Sequence, residues 1–116
     1  MEDPVADSEP IVVLQTAGNA DEAGRIARHI VEQKLAACVN IVPGVRSVYA
    51  WQGEICDDQE FLLITKTTRA RFEELADAIR GLHSYDVPEI LALPTHAVCP
   101  TYGQWLGEAV GFRSGS

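Results

Sequence analysis

Residues 34–68, KLAACVNIVPGVRSVYAWQGEICDDQEFLLITKTT, decide the fold. They read as two long β-arms, residues 37–51 and 54–67, joined by a tight turn at Gln52-Gly53. Both arms are rich in Val, Ile, Tyr, Trp, Phe and Thr, which suit a pleated surface. Alternation along the first arm puts Val45, Ser47, Tyr49 and Trp51 on one face and Arg46, Val48 and Ala50 on the other. Pro43-Gly44 marks the natural place for so long an arm to bend.

Length gives this ribbon a consequence. An arm of about 15 residues at ~3.3 Å each spans roughly 50 Å. A domain of this size has a radius of gyration of about 13 Å, and so a width of roughly 35 Å. The ribbon therefore cannot fit inside its own globule. Either Pro43 folds the arm back, or the tip, with Tyr49, Trp51 and Ile55, packs on another copy of the chain. The second is preferred, because a free tip leaves large apolar side chains in water and sheet edges unpaired. A homo-oligomer is expected.

Working outward, Ile11-Val12-Val13-Leu14 is a continuous apolar run of the kind that forms a central strand. Asn19, with Glu22 three residues on, resembles a capping box. Ala23, Ile26, Ala27, Ile30, Val31 and Lys34-Leu35 then keep helical spacing, with Asp21, Glu22, Arg25, Arg28 and Glu32 on the wet side. His29 beside that stripe reads as a surface residue. A second helix, capped by Thr67 or Thr68, has Phe72, Leu75, Ala76, Ile79 and Leu82 as its core face. The segment HSYDVPE (83–89) is a connection, in which Pro88 forces Val87 out of helical geometry. The run EILALPTHAV (89–98) contains Pro94, which points to an edge strand or a bulge. Residues 100–110 form a short helix with Tyr102, Trp105, Leu106 and Ala109 inward. The order β-α-β-β-α-β plus a terminal helix predicts an α+β, ferredoxin-like sandwich, with two helices on one face of a four-stranded antiparallel sheet. Residues 10–112 are expected to be its single domain, between flexible tails at 1–9 (acidic) and 113–116.

The chain has 116 residues, of which 47% are hydrophobic and 22% charged, which suits an ordinary globular protein with one core. A formal charge of −8 disfavours nucleic acid and anionic membrane surfaces as partners. No apolar run approaches the ~18 residues of a membrane span, and MEDPVADSEP lacks the apolar centre of a signal peptide. Cys38, Cys56 and Cys99 are odd in number and without a C-x-x-C pair, which suits reduced thiols in a cytoplasm.

Phosphate-binding, dinucleotide-binding and serine-nucleophile motifs are absent. His96 and Cys99, three apart, would lie on opposite sides of a regular strand. The segment 83–89 gathers His83, Tyr85, Asp86 and Glu89. They read either as metal or ligand groups or as a helix end and turn, with an imidazolium favoured at the helix C-terminus. Lys66, a cation on the run Leu62, Ile64, Lys66, is either a snorkelling side chain or a ligand-binding charge.

LAACVNIVPGVRSVYAWQGEI, then LLITKTT, HSYDVPEIL and YGQWL, resembles the CutA divalent-cation-tolerance proteins over residues 11–110. The resemblance implies a cytoplasmic homotrimer similar in design to PII signalling proteins, with ribbons pairing between subunits. It also implies a link to tolerance of copper and other divalent cations, no established reaction and no required cofactor. In family members with a copper site, the ligands are a cysteine ending the first strand and histidines in the turn. Here those positions hold Gln15 and Leu82, leaving only His83, and the usual proline after it is Ser84. Gln is a poor ligand for copper, so weak binding of a divalent cation such as copper is expected at best. The shared Lys66, Tyr85 and Glu89 are expected to line a cleft near a subunit boundary, suited to a small polar ligand, or to form an interfacial network. A non-enzymatic binding protein is the leading reading. A small enzyme with an inter-subunit site and a structural trimer that docks partners are the alternatives.

Overall fold

In the computed structural model, which describes residues 7–111, the first apolar run forms β1 (Pro10–Ala17). Next come α1 (Ala20–Glu32), β2 (Cys38–Trp51) and β3 (Glu54–Thr68). A 3-10 turn (Arg69–Arg71) leads into α2 (Phe72–Leu82), followed by β4 (Ile90–Pro94) and α3 (Pro100–Ala109). The strands pair antiparallel throughout in the order β2-β3-β1-β4, the expected ferredoxin-like arrangement. Of the expected tails, residues 1–6 and 113–116 lie outside the described residues, as does residue 112 of the expected domain, while the Glu9 carbonyl accepts the Arg69 N–H at 2.9 Å.

Alternation assigns the two faces of the sheet. Val13 on β1 and Leu63 and Thr65 on β3 turn to one side and are fully buried with Ile26 and Ile30 of α1 and Leu75 and Ile79 of α2. Each large aliphatic side chain buried there contributes about 1.5–3 kcal/mol. The opposite face carries Val12 and Leu14 of β1, Leu62, Ile64 and Lys66 of β3, and Leu91 and Leu93 of β4. No helix of the core covers that second face completely, and Leu91 and Leu93 stay exposed. Pro94 ends β4 at the sheet edge, where a residue without an N–H is tolerated.

The helix boundaries have local causes. Asn19 caps α1 by accepting the Glu22 N–H at 2.8 Å, but Glu22 does not return to the cap and is buried rather than wet. The expected helical spacing through Leu35 stops early. Lys34 takes the left-handed conformation (φ 59°), and the Lys34 and Leu35 N–H groups bond back to Val31 and Ile30. These paired bonds satisfy the last carbonyls of the helix in a Schellman closure. Neither threonine caps α2: Thr67 donates its hydroxyl to the Leu35 carbonyl at 2.7 Å, and the Thr68 side chain makes no cap bond. Arg71 holds the other end of the chain, donating to the Val110 carbonyl at 3.1 Å. In α3, Leu106 and Val110 are buried, but Tyr102 and Trp105 face outward, so the expected inward aromatic pair is corrected. The two rings lie 5.5 Å apart and pack on each other.

The ribbon runs out from the sheet without turning back. Gln52 and Gly53 both have positive φ, 50° and 81°, as a two-residue turn between right-twisted strands requires. At Pro43-Gly44, three steps along β2 (Val42 to Val45) face two along β3 (Leu62 to Glu60), a one-residue bulge with Gly44 at φ 74°. The bulge bends the arm without folding it back. The longest dimension is 49 Å against 27 and 26 Å across, and the radius of gyration is 15.1 Å. Tyr49 and Trp51 share one face of the tip. Ile55 pairs with Ala50 and belongs to the other face beside Val48, so the three expected contact residues do not form one patch.

Candidate functional site

The segment between α2 and β4 lies against the N-terminus of α1, and a chain of hydrogen bonds fixes it there. His83 ends α2 with its N–H on the Ile79 carbonyl, and its side chain is fully buried. The Tyr85 N–H donates to His83 Nδ1 at 3.0 Å, and Nε2 lies 2.7 Å from the Thr16 carbonyl. An N–H can only donate, so Nδ1 accepts from Tyr85, and Nε2 faces the Thr16 carbonyl as a donor; Nδ1 also lies 4.0 Å from Glu22 Oε1. Both ring nitrogens of His83 are thus in use at the helix end. Next to it, Glu22 Oε2 accepts the Ser84 N–H at 2.9 Å. Burial pushes the Glu22 carboxyl up, but hydrogen bonds from the Ser84 hydroxyl and N–H outweigh it and hold the group below the ordinary carboxylate range.

Tyr85 carries the segment across to the sheet. Its ring lies 4.5 Å from that of His83, and its hydroxyl donates to Glu60 Oε2 at 2.7 Å. Burial, and then the Glu60 carboxylate, push the Tyr85 phenol well above its usual range, so it stays a donor at any ordinary pH. Gly18 makes room for it: a Cβ there would come 3.1 Å from the phenol oxygen. Glu89 continues the row of Leu91 and Leu93 and has no hydrogen-bond partner among the described residues. Burial, followed by the nearby Glu60, raises its carboxyl above the usual value. Tyr85, Glu60 and Glu89 thus form one acidic cluster at one end of the second sheet face.

Lys66 lies at the other end of that face. It pairs with Val12 and Cys38, six residues along β3 from Glu60, or about 20 Å. One chain brings Tyr85 and Glu89 together and leaves Lys66 apart. The positions expected from the resemblance to hold copper lie near one another, since His83 meets the end of β1 at Thr16, but their side chains are committed elsewhere. Gln15 is buried on the helix side and donates Nε2 to Thr65 Oγ1 at 2.8 Å, Leu82 packs against the core, and both nitrogens of His83 are engaged. Among the described residues, no three His, Cys, Asp or Glu side chains meet as a metal site. His96 and Cys99 do not pair either, since the Cys99 thiol meets the Thr101 hydroxyl at 3.3 Å. A cavity of about 530 Å³ between Arg69, Phe72 and the β4 edge shares no residue with the acidic cluster.

Sequence reasoning missed Glu22 and Glu60. Glu22 had a signal, its place three residues after the cap, but helical spacing alone assigned it to solvent. Glu60 had none, because its burial comes from Tyr85, 25 residues away.

The family model of the CutA1 divalent ion tolerance protein matches residues 11–109. The divalent-cation tolerance protein CutA of Thermus thermophilus is 50% identical over 100 residues, which cover 86% of this chain and 97% of that one. The chloroplastic CutA of Arabidopsis thaliana is 47% identical over 96 residues, 83% of this chain but 53% of that protein. The Thermus thermophilus Cut A1 structure superposes with a TM-score of 0.84 at 49% identity, covering 86% of this chain and 97% of that one. A structure from Archaeoglobus fulgidus, described as the periplasmic divalent cation tolerance protein CutA, gives a TM-score of 0.85 at 39% identity, covering 87% and 98%. This chain belongs to the CutA1 divalent ion tolerance family.

Proposed function

We propose that the protein is a non-enzymatic homotrimer that takes part in the response to divalent cations and binds a small polar ligand in clefts at its subunit boundaries. The observation that carries this reading is the ribbon tip. Trp51 is 46% exposed, Ile55 76% and Val48 63%, on a projection too long for its own fold. Isolated exposed apolar side chains are ordinary, but a cluster at the end of a rigid arm marks a protein contact. The outward Tyr102 and Trp105 and the uncovered Leu91 and Leu93 extend the surface that assembly would bury.

Copper is a poor ligand for this chain. Binding at His83 would displace either the Thr16 or the Tyr85 hydrogen bond, and Gln15 offers no thiolate. The cytoplasm suits three free thiols. Native mass spectrometry of protein purified without added metal tests the reading: a trimer is expected, and a monomer would overturn it. Titration of the metal-free protein with Cu(II) is expected to show weak binding. A submicromolar site in each chain, lost in His83→Ala, would refute that part.

A further inference from the structure

The cavity of about 530 Å³ at the β4 edge lies between that strand and the start of α2. Such a volume falls within the range of small-molecule sites, about 300–1,000 Å³. Part of its lining is apolar: Ile11 is 6% exposed, Phe72 packs against the core, and Ala92 and Leu93 come from β4. Ala92 pairs with Val13, and Ile11 stands two residues before Val13, so both belong to the helix side of the sheet. The same cavity is lined by Asp7, Glu9, Arg69 and Glu73. None of these charged side chains has an ion pair or a side-chain hydrogen bond among the described residues. Arg69 and Glu73 stand four residues apart, a spacing that brings opposite charges together on an α-helix. Arg69 instead begins the 3-10 turn, whose three-residue period offsets the two side chains, and no bond joins them. The Arg69 N–H is held by the Glu9 carbonyl at 2.9 Å, so the backbones carrying the cation and one of the carboxylates are fixed to each other.

We propose that this cavity is a binding site for a small zwitterion with an apolar side chain, of the α-amino acid class. The guanidinium of Arg69 takes the ligand's carboxylate, because its planar fork matches two carboxylate oxygens at once. The ammonium goes to the acidic side chains, with Glu73 and Glu9 as its partners, and the side chain lies on Phe72 and Ile11. One cation stands against three carboxylates in the lining, so the cavity favours a ligand that carries an ammonium and disfavours a simple carboxylic acid. A zwitterion alone meets both signs of charge and the apolar wall together. The site is built by one chain and shares no residue with the acidic cluster around Tyr85, so it is independent of the assembly and of the boundary cleft. Arg69 and Glu73 are exposed, and exposed charge pairs each contribute little, so millimolar affinity is expected.

The test titrates the isotope-labelled full chain with L-phenylalanine near neutral pH and follows the backbone amides by NMR. Saturable shifts are expected at Arg69, Phe72, Glu73 and Ala92, with Glu60 and Tyr85 unmoved. Phenethylamine, which keeps the ring and the ammonium but lacks the carboxylate, is the control, and it is expected to bind about fivefold more weakly, the upper worth of one exposed charge pair. Arg69→Gln is expected to weaken phenylalanine by about the same factor and to leave phenethylamine unchanged. Glu73→Gln is expected to weaken both. Each variant replaces an exposed side chain, and its amide spectrum in the absence of ligand shows whether the fold is intact. Three results would each overturn the site: no saturable shift at these four amides, phenethylamine binding as tightly as phenylalanine, or Arg69→Gln binding phenylalanine as the wild type does.

Discussion

Ser84→Pro removes both donors that residue 84 offers the Glu22 carboxylate, its N–H and its hydroxyl. The N–H donates to Glu22 Oε2 at 2.9 Å, and a proline has no N–H to replace it. The preceding residue suits a proline, because His83 sits at φ −80° and ψ 144°, the extended geometry that a following proline demands. Steric cost is thus small, and proline restricts the unfolded chain, which by itself stabilises by about 0.4–1 kcal/mol. Against this stands the lost bond to a charged acceptor, about 1.5–3 kcal/mol. Glu22 is only 3% exposed and its other oxygen has no hydrogen-bond partner, so water does not readily replace the donor. The net expectation is a loss of about 1–2 kcal/mol, which lowers Tm by roughly 4–10 °C in a protein of this size.

The pH dependence makes this prediction specific. The folded-state pKa of Glu22 is depressed, so its contribution is present above the unfolded pKa and is lost as pH falls through the folded value. Wild type and Ser84→Pro should therefore differ most near neutral pH and converge in acid below the ordinary carboxylate range. Urea denaturation at a series of pH values measures this. A variant as stable as wild type at neutral pH, or a difference that does not shrink in acid, would refute the assignment of Ser84 as the group that stabilises the ionised carboxylate.

Trp51→Ala should cost about 3–5 kcal/mol per chain in the assembled protein, as for a buried aromatic, but little in an isolated chain where the ring is half in water. Analytical ultracentrifugation should show it shifting toward smaller species. Tyr85→Phe removes the donor to Glu60, which is only 5% exposed, and should cost about 1–3 kcal/mol in chemical denaturation. Gly18→Ala brings a Cβ to 3.1 Å from the same phenol, so it should weaken the same bond. Combined with Tyr85→Phe, its effect should be less than additive in a double-mutant cycle, and full additivity would show that the two act separately.

What was legible in the sequence was what repeats locally. The hairpin register follows from alternation around Gln52-Gly53, and the buried faces of α1 and α2 follow from their spacing, so the fold could be read. The ends of elements were less visible. Lys34 adopts the left-handed closure usually given to glycine, and Thr67 spends its hydroxyl on Leu35, 32 residues away, instead of capping α2. The site was the least legible part. Glu22 is buried because a turn 62 residues later supplies its donor, and no periodicity within α1 carries that information. The ring of His83 is likewise engaged by Tyr85 and Thr16, contacts that composition and helix position do not encode.

The ribbon's two-faced tip carries the argument further than its length does. Tyr49 is anchored to its own arm through Asp58 at 2.6 Å, and Trp51 shares that face. On the reverse, Val48 and Ile55 are more exposed still, while nearer the bulge Arg46 and Asp57 form an ion pair at 2.6 Å that ends the apolar strip. A tip lying flat on one neighbour would bury only one of these faces and leave the other in water. In a ring of three, each subunit has two neighbours, and a ribbon apolar on both faces at its end alone suits insertion between them. In the proposed trimer the charged belt at Arg46 and Asp57 would limit how deep the tip inserts, because an exposed ion pair gains little from burial and resists it. Residues 48–55 are accordingly the part of the arm that assembly should cover. The stretch on the other side of that belt only has to hold the tip at its reach.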